Sequence, residues 1–212
     1  MCFKHWSKVL FLILIIYTNS FSFRNERLFF PIIPFYRINY VTPTPCVGIG
    51  PEYLEGTCNT LARCRNAGLT SASPCQGNLG FCCVDIKYCG GVSSSPVVYF
   101  RNPATVAESC NLVVRKTNSS ICQLRLDFND FSLTQPTRGT CNDFLQLSLG
   151  ESYLPKICGD NTGQHVYVDF LPNCDDQTLS FKFLNTSTTS KRWNIKVTQI
   201  PCNSPLAAPR GC

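Results

Sequence analysis

The cysteine content constrains this chain more than any other feature. Fifteen of its 212 residues are cysteine, a density that persists only where thiols are allowed to oxidise. We therefore expect a disulfide-bonded, secreted protein that functions in the extracellular space.

The segment Met1–Ser22 predicts a cleaved signal peptide. Lys4 and Lys8 supply positive charge ahead of the apolar core Val9–Tyr17, and Ser20-Phe-Ser22 offers small residues for cleavage. The core is too short to cross a bilayer, which needs about 20 residues, and no later segment is long and apolar enough, so we expect no membrane span. Cleavage removes Cys2 and leaves an even number of cysteines.

The charge pattern excludes one class of partner. Removal of Lys4 and Lys8 lowers the formal net charge from +6 to +4, and the remaining basic residues are scattered. Nucleic acid is therefore not an expected partner, because no stripe of Lys and Arg is interleaved with aromatic residues. Asn118-Ser-Ser120 and Asn185-Thr-Ser187 are predicted glycosylation sites in turns.

Residues 23–45 are rich in proline and predict an extended arm, because proline disrupts helices and central strands. Residues 46–83 form a compact block that is too small to fold on its hydrophobic core alone. The adjacent Cys82 and Cys83 must bond different partners. A zinc site is the alternative, but the block has no histidine and no Cys-x-x-Cys pair. The block contains six cysteines: Cys46, Cys58, Cys64, Cys75, Cys82 and Cys83.

A brief connector, Asp85–Lys87, leads to an all-β domain over residues 89–201. Ile121–Phe128 alternates strictly, which is typical of a strand with one buried and one wet face. We predict that Leu112–Arg115 is its hairpin partner across the turn Thr117–Ser120. Cys122, Leu124, Leu126 and Phe128 are predicted to be buried, whereas Ile121, Gln123, Arg125 and Asp127 are predicted to face solvent.

Regularly spaced turn signals complete a sandwich-like pattern. Ala104–Ser109 is predicted to form a single helical turn before Cys110. The remaining predicted strands are Val97–Phe100, Phe144–Leu149, Val166–Phe170, Leu179–Phe183 and Trp193–Ile200.

The sequence offers no catalytic residues. His165 is the one histidine left after signal cleavage, with Asp160 or Asp169 as the nearest candidates to orient it. No Gly-x-Ser-x-Gly segment supplies a nucleophile, and Gly159–Gly163 contains no serine. We therefore expect a structural or surface role for His165, no enzyme activity and no cofactor.

The six-cysteine block resembles the clip domain of arthropod secreted proteins. The resemblance rests on six cysteines with the last two adjacent, and on Glu55-Gly-Thr-Cys58 before them. It implies the disulfides Cys46–Cys82, Cys58–Cys75 and Cys64–Cys83.

The following domain resembles a CUB domain in the order of Cys89-Gly-Gly, Tyr99–Pro103, Cys110, Cys141-Asn-Asp143 and Cys158-Gly159. This implies an antiparallel β-sandwich with the disulfides Cys89–Cys110 and Cys141–Cys158. Ile121–Phe128, Cys158–His165 and Arg192–Cys202 are similar to CUB-domain-containing proteins of insects and crustaceans. In that group a second CUB-like segment often follows, so residues 202–212 are expected to begin a further, truncated segment.

Calcium binding is weakly implied by the same resemblance. Calcium-binding CUB domains hold the ion with two or three carboxylates, and Asp143 matches one of them. The other two positions fall at Gln135 or Thr134 and near Leu184, none of which is acidic. We therefore expect no metal site, with Asp143 as the weak candidate.

Four further cysteines remain without partners from either resemblance. Cys122 is expected to bond Cys174 or Cys202, or to stay a buried thiol. Cys212 also lacks an assigned partner.

The two resemblances together imply a secreted, non-catalytic binding module that contacts extracellular proteins or glycans. The alternative is the regulatory front part of a secreted serine protease zymogen, whose catalytic domain would follow Cys212. A third reading is a venom-like secreted component.

Overall fold

The computed structural model of the protein describes residues 40–50, 52–105, 108–149, 152–153, 155–170, 174–183 and 191–209. These residues lie in one compact unit. The predicted signal peptide, the arm as far as residue 39, Asn185 and Cys212 lie outside them. Within the described ranges, no helix is long and apolar enough to cross a membrane.

The first part of the fold, which we call the cysteine module, is a four-stranded antiparallel sheet with one short helix. Thr60 caps the helix, because its hydroxyl oxygen accepts a hydrogen bond from the Arg63 N–H at 3.3 Å. Pro45 is tolerated because its strand lies at the edge of the sheet. The elements are β1 (Thr44–Val47), β2 (Glu55–Asn59), α1 (Leu61–Asn66), β3 (Thr70–Cys75) and β4 (Gly80–Val84), and the strand order is β1-β2-β4-β3.

Two five-stranded sheets form the second part, the sandwich. One sheet has the order β11-β10-β13-β8-β6 and the other β12-β9-β14-β7-β5. All pairs are antiparallel except β5 with β7 and β6 with β8, which are parallel. The strands are β5 (Ile86–Lys87), β6 (Gly91–Ser93), β7 (Val97–Arg101), β8 (Ser109–Arg115), β9 (Ile121–Ser132), β10 (Phe144–Leu149), β11 (Ser152–Tyr153), β12 (His165–Asp169), β13 (Asp176–Lys182) and β14 (Arg192–Pro201).

Aromatic residues from both sheets form the centre of the core. The rings of Phe181 and Trp193 stack with centroids 4.2 Å apart, and Phe100 meets Trp193 edge-on at 6.0 Å. Aliphatic residues of β8 and β9 extend the core on either side. The predicted fold class, an all-β antiparallel sandwich after a small disulfide-rich module, is confirmed.

The predicted hairpin between Leu112–Arg115 and Ile121–Phe128 is wrong. These segments lie in β8 and β9, which belong to opposite sheets. β8 pairs with β13, and β9 pairs with β12 and β14. Alternation shows which side of a strand is buried but not which strand lies beside it. Two consecutive strands that face each other across a core therefore have the same sequence pattern as the two strands of a hairpin.

The predicted wet face of β9 is wrong at its first residues. Ile121 and Gln123 are buried, whereas Arg125 and Asp127 remain partly exposed. The C-terminal segment covers this region, because the Gln123 side chain exchanges two hydrogen bonds with the backbone of Ala208, at 3.0 and 2.9 Å.

Two shorter predictions also need correction. The connector Asp85–Lys87 contains β5, which extends the sandwich by pairing with β7. The expected helical turn at Ala104–Ser109 is not present in the described residues of that segment, and Ser109 already belongs to β8.

Three polar contacts join the cysteine module to the outer face of β7 and β14. The Glu55 backbone N–H donates to the Tyr99 hydroxyl oxygen at 2.8 Å. The Glu55 carboxylate pairs with the Lys196 ammonium at 2.7 Å, and Arg101 pairs with Glu52.

Candidate binding surface at one end of the sandwich

Asp143, the weak calcium candidate, lies at one end of the sandwich and pairs with a lysine. The Lys191 ammonium is 3.3 Å from its carboxylate, and both side chains are almost fully buried. The Thr134 hydroxyl donates to the same carboxylate. Lys191 also lies over the Phe183 ring, 4.8 Å from its centroid. The Asp143 carboxylate therefore already has a buried cation of the chain beside it.

These residues do not fit a calcium ion. Calcium needs six to eight oxygen ligands, and a buried ammonium beside the carboxylate opposes a second cation. Thr134 and Gln135 supply no charge, and Leu184 lies outside the described residues. The part of the chain that the structure describes has no group of three side chains suited to hold a metal.

The loops around this pair are tied together by covalent and backbone bonds. A disulfide joins Cys141 to Cys158. Leu145 and Ile157 exchange two backbone hydrogen bonds, and the Leu133 N–H donates to the Gly159 carbonyl at 2.9 Å. The end of the sandwich is therefore held in one conformation by the chain itself.

A tight hairpin, Thr137–Thr140, projects from this end. The backbones of Thr137 and Thr140 exchange two hydrogen bonds of 3.0 Å. Arg138 (φ 51°) and Gly139 (φ 77°) are the two residues of the turn, as in a type I′ hairpin. The whole segment from Thr134 to Thr140 is exposed, and Arg138 forms no salt bridge with a described residue.

Acidic residues lie beside this end. The Thr162 N–H donates to the Asp160 carboxylate at 3.1 Å, and this hydrogen bond is the main cause of a lowered pKa at Asp160. Arg192 pairs with Asp130 through two contacts of 2.9 and 3.0 Å. Asp160 and Asp130 thus have partners of their own, whereas the Arg138 side chain is exposed to solvent.

The structure brings together the cysteines that the resemblances paired. It contains the bonds Cys46–Cys82, Cys58–Cys75, Cys64–Cys83, Cys89–Cys110 and Cys141–Cys158. Cys122 bonds Cys202, which selects one of its alternatives. Cys174 is also disulfide-bonded.

The other candidate residues lie apart from this end. His165 is exposed at an edge strand and meets the Tyr167 ring edge-on, with centroids 5.6 Å apart. Asn118 lies in an exposed turn, where its side-chain oxygen accepts a hydrogen bond from the Ser120 N–H at 2.9 Å.

No protein family and no curated protein matches the sequence. Solved structures do match parts of it. The full extracellular region of zebrafish Gpr126/Adgrg6 shares 20% identity over 54% of this chain and 15% of its own length, with a TM-score of 0.43. The CUB1-EGF-CUB2 domain of human MASP-1/3 shares 11% identity over 56% of this chain and 44% of its own, also at 0.43.

The MASP-1 CUB2 domain bound to Ca²⁺ shares 11% identity over 52% of this chain and 98% of its own length, with a TM-score of 0.41. CUB domains are therefore among the structural neighbours of the chain. The chain spans less than half the length of the first two matches. Likeness at this level carries no information about ligands.

Sequence reasoning missed two basic residues at this end of the sandwich, the buried Lys191 and the exposed Arg138. Lys191 follows the predicted glycosylation site Asn185-Thr-Ser187, which gives no sign of a buried lysine, and only its distance to Asp143 in the fold reveals its role. Arg138 had a usable signal, because Arg138-Gly139 between two threonines has the glycine that a two-residue hairpin needs.

Proposed function

We propose that the protein is a secreted, non-catalytic binding module that contacts extracellular proteins or glycans through the Thr134–Cys141 loop. Arg138 is the central contact residue. Its partners carry carboxylate or sulfate groups, because a guanidinium binds such groups through paired hydrogen bonds. The disulfides support an extracellular location, since such bonds persist in oxidising compartments.

The backbone conformation of Arg138 carries this proposal. A non-glycine residue with positive φ costs about 1 kcal/mol or more, and such residues cluster at functional sites. Asparagine or glycine would fit the same turn at a lower cost. An arginine held in this conformation at the tip of an exposed, hydrogen-bonded hairpin therefore supports a contact role for its side chain.

The proposal also retains the predicted organisation. In this proposal the six-cysteine block of residues 46–83 and the domain of residues 89–201 remain the two functional parts, with Asn118 and Asn185 as glycosylation sites. Among the described residues, Glu55 of the module contacts the outer face of β7 and β14 through Tyr99 and Lys196.

The variant Arg138→Asn tests whether the loop contributes to binding without a loss of stability. The protein without its signal peptide would be screened against panels of glycans and extracellular proteins, and the affinity for each binder compared between variants. We expect a loss of about tenfold or more with Arg138→Asn, while the thermal unfolding midpoint stays the same or rises.

Arg65→Asn is the matched control, because it removes an exposed arginine from α1 at the far module. It should leave the affinities unchanged. If every binder tolerates Arg138→Asn as well as Arg65→Asn, the loop is not the contact surface.

A further inference from the structure

The outer edge of β12 has backbone groups that no described strand pairs. β12 is the last strand of its sheet and pairs with β9. The residues that flank it face β9, because the Gln164 carbonyl and the Phe170 N–H form hydrogen bonds of 2.9 and 2.8 Å with the backbone of that strand. Backbone direction alternates along an antiparallel strand. Three residues therefore direct their N–H and C=O groups away from β9: His165, Tyr167 and Asp169.

The other outer strands that the structure describes have features that oppose pairing with another chain. β5, β6 and β11 have only two or three residues each. β1 contains Pro45, and β3 contains Pro74 together with a shift in register. Short length, proline and irregular register are the usual protections of an exposed edge. β12 has none of them, because its five residues pair with β9 in continuous register and include no proline or lysine.

We propose that β12 pairs antiparallel with β12 of a second copy of this chain. With a two-fold axis at Tyr167, His165 of each copy lies opposite Asp169 of the other, and each opposed pair exchanges two backbone hydrogen bonds. An acidic residue thus lies opposite a basic one at both ends, which is the favourable cross-strand arrangement. A shift of two residues in either direction would place His165 or Asp169 opposite Tyr167 and lose both charge pairs.

The side chains of β12 also suit an extended sheet. Val168 belongs to the core and Val166 packs against it, so the apolar face of the strand would continue from one copy to the next. On the other face, the Arg125 guanidinium donates to the Tyr167 hydroxyl at 3.3 Å, and Arg125 pairs with Asp127 at 2.7 Å. Asp127 lies opposite His165 on β9. His165 would therefore have an aspartate on either side of it in the dimer.

Sedimentation equilibrium of the disulfide-bonded protein without its signal peptide tests the association. We expect a reversible monomer–dimer equilibrium. His165→Asp places two carboxylates opposite each other at both ends of the paired strands, so the dissociation constant of the dimer should rise about tenfold or more. His165→Asp combined with Asp169→Lys restores opposite charges and should restore the dimer. A wild type that stays monomeric up to about 1 mM would overturn the proposal.

Asn111→Asp is the matched control for His165→Asp. It adds a negative charge at an exposed residue of β8, in the other sheet, and should leave the dissociation constant unchanged. Equal weakening by both variants would mean that net charge, and not the edge of β12, controls association. Failure of Asp169→Lys to rescue His165→Asp would contradict the charge pairing, and the circular dichroism spectrum establishes that each variant is folded.

Disulfide trapping tests the register. Tyr167→Cys places two thiols opposite each other at the two-fold axis, where the Cα atoms of a hydrogen-bonded pair are about 5.5 Å apart, within the range of a disulfide. Mild oxidation should therefore give a covalent dimer on a non-reducing gel. His165→Cys should not, because the two cysteines would be offset by four residues, about 14 Å along the strands. Equal cross-linking by both variants, or by neither, would overturn the pairing.

Discussion

Lys191 is the residue whose replacement should be the most costly at the candidate binding surface. Lys191→Met leaves the Asp143 carboxylate buried without the ammonium 3.3 Å away. Breaking a buried ion pair from one side costs about 3–5 kcal/mol. We expect a loss of that size in the free energy of unfolding, measured by urea denaturation at neutral pH.

Arg115→Met is the control for Lys191→Met. Arg115 pairs with Asp176 at 3.4 Å, but both side chains are about half exposed, so its loss should cost no more than about 1 kcal/mol. Asp143→Asn combined with Lys191→Met should recover part of the stability, because the buried carboxylate and the buried ammonium are then both replaced by neutral groups. Similar costs for the two single variants would refute the role of Lys191, as would stabilisation of the wild type by millimolar calcium chloride.

Single residues also show where sequence analysis reaches its limit. Asp143 was recognisable as a special position because a family resemblance marked it. The role of Lys191 was not recognisable, because it is distant from Asp143 in the sequence and only the tertiary fold brings its ammonium to the carboxylate. Gln123 shows the same limit. Alternation predicts that its side chain faces solvent, but in the structure it hydrogen-bonds the backbone of Ala208 and is buried.

At the level of elements, the approach of β2 to β4 depends on Gly56. A Cβ atom at this position would lie 2.3 Å from the Cys83 carbonyl oxygen, so the strands would have to separate. Gly56→Ala should therefore lower the free energy of unfolding by about 1–3 kcal/mol, the usual cost of overpacking.

Gly50→Ala is the matched control in the same hairpin, since nothing lies within 4 Å of the added Cβ atom. It should change stability by less than about 0.5 kcal/mol, as ordinary surface substitutions do. If urea unfolding gave the same loss of stability for both alanine variants, the close approach of β2 to β4 at Gly56 would not be important for the stability of the module.

The strands themselves were largely predictable, whereas their partners were not. The last predicted strand, Trp193–Ile200, lies inside β14, which is one residue longer at each end. Alternation there follows directly from the burial of Trp193, Ile195 and Val197. Pairing is decided by which strands share a sheet, and the sequence around Leu112 and Leu124 contains no information on that point.

For the whole molecule, the junction between the cysteine module and the sandwich centres on Tyr99. Its ring is 3% exposed, and its hydroxyl oxygen accepts a hydrogen bond from the Glu55 N–H. Burial raises the pKa of the Tyr99 phenol above its ordinary value of 10.0, although the Glu55 N–H and the Lys196 ammonium act in the opposite direction. The neutral phenol is therefore the form that fits the junction.

Tyr99→Phe should show how this junction depends on pH. At neutral pH the variant loses one hydrogen bond, so the free energy of unfolding should fall by about 1 kcal/mol. A raised pKa in the folded state means that the unfolded state loses the proton first. The contribution of the phenol is therefore complete below about pH 10 and declines as the pH rises further.

The stability difference between the wild type and Tyr99→Phe should consequently stay constant below about pH 10 and narrow as the pH rises above that value. Urea unfolding at each pH gives this difference directly, and contributions from other tyrosines cancel because both proteins contain them. Tyr88→Phe is the control, since Tyr88 is 50% exposed and its replacement should give a difference near zero at every pH. If the Tyr99→Phe difference stayed constant or widened with pH, the phenol would be ionising as easily in the folded protein as in the unfolded chain. The module would then have to be held against the sandwich by the Glu55–Lys196 and Glu52–Arg101 pairs rather than by the buried tyrosine.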